Sequence, residues 1–117
     1  MLWNSTGTGT IGRAALFIKL KGYEKAVVDS HVTIVRCSKG CLPYYLHYFV
    51  RSPLIQGRIE EMHTGSTNQV ELSREEVLRT SIPLPPLNEQ RRIVAKLDSL
   101  FAHSRRAREE LERIPKL

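Results

Sequence analysis

Residues 82–97 decide the fold of this chain. They read Ile82-Pro83-Leu84-Pro85-Pro86-Leu87-Asn88-Glu89-Gln90-Arg91-Arg92-Ile93-Val94-Ala95-Lys96-Leu97. Three prolines within four positions restrict the backbone and remove hydrogen-bond donors, so residues 82–87 are expected to lie outside any helix or central strand. Asn88 is a favourable N-cap, and Glu89 suits the positive end of a helix dipole. The pattern predicts a rigid extended hinge that leads into one long helix.

The predicted helix runs from Asn88 to Ile114, where Pro115 stops it, and would be roughly 40 Å long. It carries an apolar stripe at alternating spacings of four and three, which is the pattern of a coiled-coil seam. We call these residues the seam: Ile93, Leu97, Leu100, Ser104, Ala107, Leu111 and Ile114. The seam could pack on its own domain or pair with a helix of another chain or segment. Pairing is favoured because the helix is longer than any core that a chain of this length could form.

The composition is that of a soluble globular chain, with 117 residues, 41% hydrophobic and 26% charged. This length indicates one domain plus an appendage. The chain has no apolar run of about 18 residues and no signal-peptide pattern at its N-terminus, so we expect it in the cytoplasm with Cys37 and Cys41 as free thiols. Its net charge of +6 suits a polyanion such as nucleic acid, although modest basicity is also common in proteins that never touch DNA.

Periodicity predicts an α+β fold. Residues 1–12 contain a polar, glycine-rich loop, and alternation of apolar and polar side chains predicts strands over Leu16–Lys21 and Lys25–Arg36. Ser38-Lys39-Gly40 predicts a turn. Pro43 is placed to open a helix with an apolar face formed by Leu42, Tyr45, Leu46, Phe49 and Val50.

Further signals divide the stretch that follows. Ser52-Pro53 restarts a helix whose apolar residues are Leu54, Ile55, Ile59 and Met62. A polar loop, His63–Gln69, and a short extended piece, Val70–Leu72, come next. Ser73-Arg74-Glu75-Glu76 then forms a capping box for a short helix that ends near Arg79. We therefore divide the chain into a domain at 1–87, with the hinge at 82–87, and a spacer helix at 88–117.

Gly7, Gly9 and Gly12 match the spacing of the dinucleotide-binding fingerprint. That interpretation needs a strand before the glycines and a helix after them, followed by further βαβ units. Few residues precede the loop, and Leu16–Lys21 has the period of a strand. The favoured interpretation is a turn or hairpin whose glycines supply positive φ.

The sequence does not indicate catalysis or a cofactor. Cys37 and Cys41 have no second close pair for a zinc site, even with His31 and His47 nearby in sequence, and ordinary small thiols are the favoured interpretation. The pairs Glu60-Glu61 and Glu75-Glu76 are adjacent on helices and point in different directions. A nucleophile-elbow motif is also absent from the sequence.

DNA contact is more plausible, because basic side chains accompany loops rich in hydroxyl, amide and free backbone N–H groups. The alternative is that these loops are simply solvated. The candidate DNA-binding residues are Thr6, Thr8, Thr10, Arg13, Lys19, Lys21, Lys25, Ser66, Thr67, Asn68 and Gln69.

These pieces occur in a familiar order. The segment Asn4–Leu16, then Thr64–Thr67 and Leu72-Ser73, and above all Ile82–Val94 resemble the DNA specificity subunit of type I restriction-modification systems. The Ile82–Val94 motif is highly specific, and the resemblance covers essentially the whole chain.

The resemblance implies a full subunit with two target recognition domains, held apart by two long helices that pack as a coiled coil. Each domain reads half of a split DNA target. The subunit is not catalytic, and it delivers the methylation subunits and, in the full enzyme, the restriction subunits. The seam would then lie on the spacer helix, and the basic loops would face the target.

This chain departs from that pattern, since part of a recognition domain is expected before Met1 and a second domain and helix are expected after Leu117. We therefore interpret it as a partial recognition domain with a spacer helix that reads a half-site and forms an antiparallel homodimer through the seam. The competing hypothesis is a remnant that forms coiled coils, as an interaction or regulatory module, without specific DNA reading.

Overall fold

The computed structural model describes residues 1–6, 11–17, 21–64 and 72–115. Short strands come first along the chain and helices follow, which confirms the α+β prediction. The elements are β1 (Leu2–Asn4), β2 (Ala14–Ala15), β3 (Val32–Ile34), α1 (Pro43–Arg51), α2 (Pro53–Thr64), α3 (Arg74–Arg79) and α4 (Leu87–Glu112).

The described strands form an antiparallel sheet in the order β2-β1-β3. Leu2 of β1 lies opposite Ala15 on one side and Ile34 on the other. Trp3, at the centre of β1, is buried, and its indole Nε1–H donates to the carbonyl of Gly12 at 2.8 Å. An indole that is buried needs such a partner, so this bond connects the hairpin turn to the core.

Gly12 confirms the expectation of a hairpin turn with positive φ. Its φ is +83°, a conformation that residues with a Cβ rarely adopt. A Cβ at this position would also lie 2.7 Å from Cδ1 of Ile59. Because Gly12 lies between two antiparallel strands, and not between a strand and a helix, the dinucleotide-binding alternative is wrong.

The core lies between the sheet and the first two helices. Val50 of α1, together with Ile55 and Ile59 of α2, packs around Trp3 and Leu72. The remaining member of this buried cluster is Leu46 of α1. Most residues of the two predicted apolar faces therefore lie in or against the core, although Leu54 of α2 is exposed. The side chain of Met62, the last residue of the second face, is not among those that the structure describes.

Local signals for the helices are confirmed at several positions. Pro43 lies in the first turn of α1. The hydroxyl of Ser73 accepts a hydrogen bond from the backbone N–H of Glu76, as the capping box predicts, and α3 ends at Arg79. The proline segment at 82–86 has neither helical nor strand structure. These features depend on neighbouring residues in sequence, which is why local chemistry predicts them.

Both predicted strands are corrected. The first was expected over Leu16–Lys21, but β2 lies earlier, at Ala14–Ala15, and residues 18–20 lie outside the described residues. The second was expected over Lys25–Arg36, but only Val32–Ile34 is a strand. A strand needs a partner strand. Because β1 is only three residues long, it pairs with only three residues of the stretch Lys25–Arg36, and these three form β3.

The helix start is also corrected. Asn88 is not the N-cap, because α4 begins at Leu87 and Pro86 is its cap. The carbonyl of Pro86 accepts the backbone N–H groups of Glu89 and Gln90 at 2.9 and 3.1 Å, so the helical bonds begin two residues earlier than the capping preference suggests. The side chain of Asn88 instead accepts a hydrogen bond from Arg91.

Helix α4 has 26 residues and is about 39 Å long. It ends at Glu112, two residues before the predicted end at Ile114, a difference that is usual at a fraying terminus. None of the described helices combines the length and the apolar character that crossing a membrane requires.

Candidate nucleic-acid interface and helix clamp

Four of the eleven candidate DNA-binding residues lie in the described part of the chain. Thr6 is partly buried, and its carbonyl accepts a hydrogen bond from the side chain of Asn4 at 2.8 Å. Arg13, Lys21 and Lys25 are exposed. The others lie outside the described residues: Thr8, Thr10, Lys19, Ser66, Thr67, Asn68 and Gln69.

Ser5 joins the segments that carry these candidates. It is 3% exposed, and both its backbone N–H and its hydroxyl donate to the carbonyl of His31, at 2.9 and 2.7 Å. Its own carbonyl accepts the backbone N–H of Leu72 at 2.8 Å. We call this arrangement the Ser5 junction.

The Ser5 junction brings distant parts of the sequence to one end of β1. The stretch 21–31, which carries Lys21 and Lys25, ends at His31. The predicted polar loop and extended piece end at Leu72. The backbone of Asn4 pairs with Gly12 and Arg13 at 2.8 Å each, which adds the other end of the glycine-rich loop. In the sequence, Ser5 is one polar residue of the glycine-rich loop, and no local pattern indicates that it is buried.

A second group of contacts holds α4 against the domain. Gln90 has an exposure of 0% although its side chain is polar. Its Nε2 donates to the carbonyls of Gly40 and Pro85, both at 2.8 Å, and its Oε1 accepts the backbone N–H of Leu42, also at 2.8 Å. A buried amide must be hydrogen-bonded to be tolerated, and here both ends of the amide are satisfied by backbone groups.

Two tyrosines of α1 extend this attachment. The hydroxyl of Tyr45 donates to the carbonyl of Pro83 at 2.7 Å, which fixes the proline segment. The hydroxyl of Tyr48 donates to the carboxylate of Asp98, two turns into α4 beyond Gln90. The Tyr48 ring stacks on Phe101 with centroids 5.7 Å apart, and the guanidinium of Arg51 lies 6.0 Å from the Tyr48 centroid. We call Gln90, Tyr45 and Tyr48, with these partners, the clamp.

In the sequence, Gln90 belongs to the helix-start motif, and the clamp was not predicted. One signal was present. Gln90 precedes Leu97 by seven residues, so it continues the seam by one heptad. Such a position faces the surface on which the helix packs.

The seam follows Gln90 along the same side of α4, and most of it is exposed. Ile93 and Leu97 are partly covered, whereas Leu100 is 52% exposed, Leu111 68% and Ile114 61%. Ser104 and Ala107 are also exposed. The domain therefore packs on the first half of α4 through Gln90, Asp98 and Phe101 and leaves most of the seam uncovered.

The two cysteines are close together without forming a disulfide. The Sγ atoms of Cys37 and Cys41 are 3.7 Å apart. Burial, followed by the hydrogen bond and the proximity of Cys37, raises the pKa of Cys41 to about 11. His47 contacts the carbonyl of Ala14 at 3.1 Å. Among the described residues, no group of three His, Cys, Asp or Glu side chains is placed to hold a metal ion.

Comparison with known proteins identifies a relative in the same class of DNA specificity proteins. The chain is 28% identical over 94 residues to the specificity subunit of the type I restriction enzyme EcoKI from Escherichia coli (strain K12). That alignment covers 80% of this chain and 20% of the relative, so the chain spans about a fifth of the length of that protein. No solved structure matches the chain significantly.

A family model describes nearly the whole chain. The type I restriction modification DNA specificity domain matches residues 1–115, a range that includes the sheet, the clamp and α4. This match confirms the resemblance seen in Ile82–Val94. The chain therefore belongs to the family of type I restriction modification DNA specificity domains.

Proposed function

We propose that this chain recognises one half of a split DNA target in the cytoplasm and joins a type I assembly through α4. In this proposal, residues 1–87 form the reading body and residues 88–117 form the spacer helix. Methylation subunits, and in the full enzyme restriction subunits, would be its protein partners. The family is one of specificity domains without a catalytic site, which confirms the prediction that the chain is not an enzyme.

The Ser5 junction is the observation that supports DNA recognition most directly. It joins His31, at the end of the stretch that carries Lys21 and Lys25, to Leu72, which follows the predicted polar loop. The described ends of the segments that carry the candidate residues therefore meet at one end of β1. Arg13, Lys21 and Lys25 are exposed, and lysine and arginine side chains can neutralise phosphates. Phosphate contacts fix the register of a protein on DNA, and loop side chains then read the base edges.

A second copy of the chain is the proposed partner of the seam. Three large apolar side chains of the seam are exposed: Leu100 and Leu111 of α4, and Ile114 just beyond its end. Such a stripe is stable in water only when another apolar surface covers it. A helix with the same stripe supplies that surface.

The charges beside the seam favour an antiparallel pair. With the two-fold axis between Arg105 and Arg106, Leu100 would pack against the second copy's Leu111, and the small residues Ser104 and Ala107 would meet at the centre. In the same register, Glu110 would approach the second copy's His103, and the guanidinium of Arg108 would approach its Phe101. A parallel pair would instead place His103 beside Arg108, without an attractive contact.

This register also sets the distance between two reading bodies. Each body is attached to residues 87–101, whose midpoint is about 11 residues from the proposed axis. At 1.5 Å per residue, the two attachment points are roughly 35 Å apart. That distance is about one turn of duplex DNA, the separation at which two-fold symmetric proteins bind half-sites.

DNA binding can be tested by fluorescence anisotropy with labelled duplexes at several salt concentrations. The proposal expects affinity that falls steeply with salt and that differs between sequences. Arg13→Ala should weaken binding to all sequences and reduce the salt slope by about one. Arg113→Ala, at the far end of α4, is the matched control and should change neither. Equal binding to all sequences, or none at low salt, would overturn DNA reading.

The second candidate function is a protein-interaction module that pairs through α4 and does not read DNA. It is favoured by the exposed seam alone, which does not depend on the loops. Co-purification with a methylation subunit, followed by an assay for sequence-specific DNA methylation, separates the two. The reading function predicts that the co-purified complex methylates DNA at a defined sequence. The interaction module predicts that the methylation subunit co-purifies but that no defined DNA sequence is methylated.

A further inference from the structure

The clamp contacts α4 at two separate places along its length. Gln90 lies at the start of the helix, and Tyr48 contacts Asp98 and Phe101 two to three turns later. A helix attached at one place can pivot about it. Two contacts that are roughly 12–16 Å apart along the axis fix the direction of the helix as well as its position.

The contacts at Gln90 also prevent rotation of the helix about its own axis. Its amide binds backbone groups from two segments, the turn at Gly40 and Leu42 and the proline segment at Pro85. All three bonds are 2.8 Å long, and Gln90 itself is fully buried. Rotation of α4 would break all three together and leave buried polar groups unpaired, which is costly.

We infer that Gln90 and Tyr48 are positioning residues that make the sheet, α1 and α4 one rigid body, and thereby determine which spacer length between two DNA half-sites is accepted. This inference rests on the proposed function. The proline segment is predicted to be rigid, and Tyr45 also fixes its backbone at Pro83. The angle between the reading body and the spacer helix is therefore set by the side chains of the clamp together with this segment.

The geometry of DNA makes this rigidity a source of specificity. Adding one base pair between two half-sites moves one of them by about 3.4 Å and rotates it by about 35°. Two rigid bodies joined by paired helices cannot follow that rotation without strain. A body that pivots on α4 could follow it, so loss of the clamp should widen the range of accepted spacers.

The test compares Gln90→Leu with Gln56→Leu. Gln56 is a matched control, because its Nε2 also donates to two backbone carbonyls, of Gly12 and Val50, but both lie away from α4. Each protein is measured on duplexes that carry the selected half-sites with spacers lengthened or shortened by one and two base pairs. The unmutated chain and Gln56→Leu should prefer one spacer by at least tenfold over its neighbours.

For Gln90→Leu, affinity for a single half-site should remain within about threefold, and the preference among neighbouring spacers should fall below threefold. An unchanged tenfold preference would overturn the inference. Tyr48→Phe keeps the ring and removes the donor to Asp98, so it serves as the second variant if Gln90→Leu does not fold. It should lower the spacer preference in the same direction.

A measurement without DNA separates this inference from the proposed function. Residual dipolar couplings of backbone N–H groups in α1 and in α4 should fit one alignment tensor in the unmutated chain and in Gln56→Leu. In Gln90→Leu, the two helices should require different tensors. A single tensor in that variant would overturn the inference even if DNA reading is confirmed, and two tensors would support it even if DNA reading fails.

Discussion

The side chain of Gln90 accepts the backbone N–H of Leu42 at 2.8 Å, across 48 residues of sequence. Leu42 is the N-cap of α1, so this bond joins the start of one helix to the start of another. The same amide donates to Gly40 and Pro85. The relation explains why the residue after Asn88-Glu89 is a glutamine, since a shorter or apolar side chain could not satisfy these three backbone groups.

Gln90→Leu should destabilise the fold by about 2–4 kcal/mol, because it leaves one backbone donor and two backbone acceptors, all partly buried, without their partner. The expected result is a lower midpoint of urea unfolding with an unchanged m-value. Gln56→Leu removes two hydrogen bonds to backbone at a partly exposed side chain and should cost less. Equal midpoints for Gln90→Leu and the unmutated chain would show that the clamp contributes no stability.

Gly12→Ala should be more destabilising than Gly22→Ala, although both glycines have positive φ. Their φ values are +83° and +91°, so each alanine meets similar backbone strain, on the order of 1 kcal/mol. The added methyl at Gly12 would also contact Ile59 at 2.7 Å, whereas nothing lies within 4 Å at Gly22. We expect thermal unfolding to show the larger loss for Gly12→Ala. The reverse order would contradict the close packing of the hairpin on α2.

Leu97→Asp and Leu111→Asp should weaken self-association by placing a charge in the seam. Leu111 is the sharper probe, since it is exposed in the single chain and its replacement should leave the fold intact. Arg106→Asp, on the opposite side of α4 from the seam, is the control. Light scattering at tens of micromolar should report a dimer for the unmutated chain and the control and a monomer for the two seam variants. A monomer for the unmutated chain would contradict the dimer.

The fold should lose stability at alkaline pH. Burial raises the pKa of Cys41 from about 9 to about 11, and the hydrogen bond to Asp98 raises the pKa of Tyr48 above its ordinary value. A group whose pKa is raised on folding stabilises the folded state while it is protonated, so this contribution is complete below about pH 9 and is lost as the pH rises toward 11. Melting temperatures should be level from pH 7 to 8.5 and then fall.

Tyr48→Phe and Cys41→Ala identify the source of that loss. Each removes one titrating group, so each variant should show a shallower fall above pH 9 than the unmutated chain. Deprotonation of Tyr48 also removes its donation to Asp98, which weakens the clamp. A fall of equal steepness in both variants would assign the alkaline loss to other groups.

The sequence predicts the helices well and the sheet poorly, and the reason is the range of the interactions. Pro43, the capping box at Ser73 and the proline segment act on residues within one turn, so local chemistry is sufficient. The strands are two or three residues long and pair across at least ten positions. The alternation at Lys25–Arg36 predicted a long strand, but it could not show that β1 pairs with so little of it.

The candidate site was predicted in part, for the same reason. Exposure of Arg13, Lys21 and Lys25 follows from their charge, but the burial of Ser5 and Gln90 depends on partners far away in sequence. Asn88 was wrongly predicted as a cap because its intrinsic preference is strong, whereas the carbonyl of Pro86 already begins the helix. The seam was recognised from spacing alone, and its partner stays a prediction.

Selection of bound sequences from a pool of random duplexes tests the central claim most directly. If two copies of the chain read two half-sites across paired α4 helices, the enriched duplexes should contain an inverted repeat. The centres of the two half-sites should be about one helical turn apart, with a fixed spacer of unselected bases. Recovery of a pool without any enriched sequence, or of one unsplit motif, would contradict it.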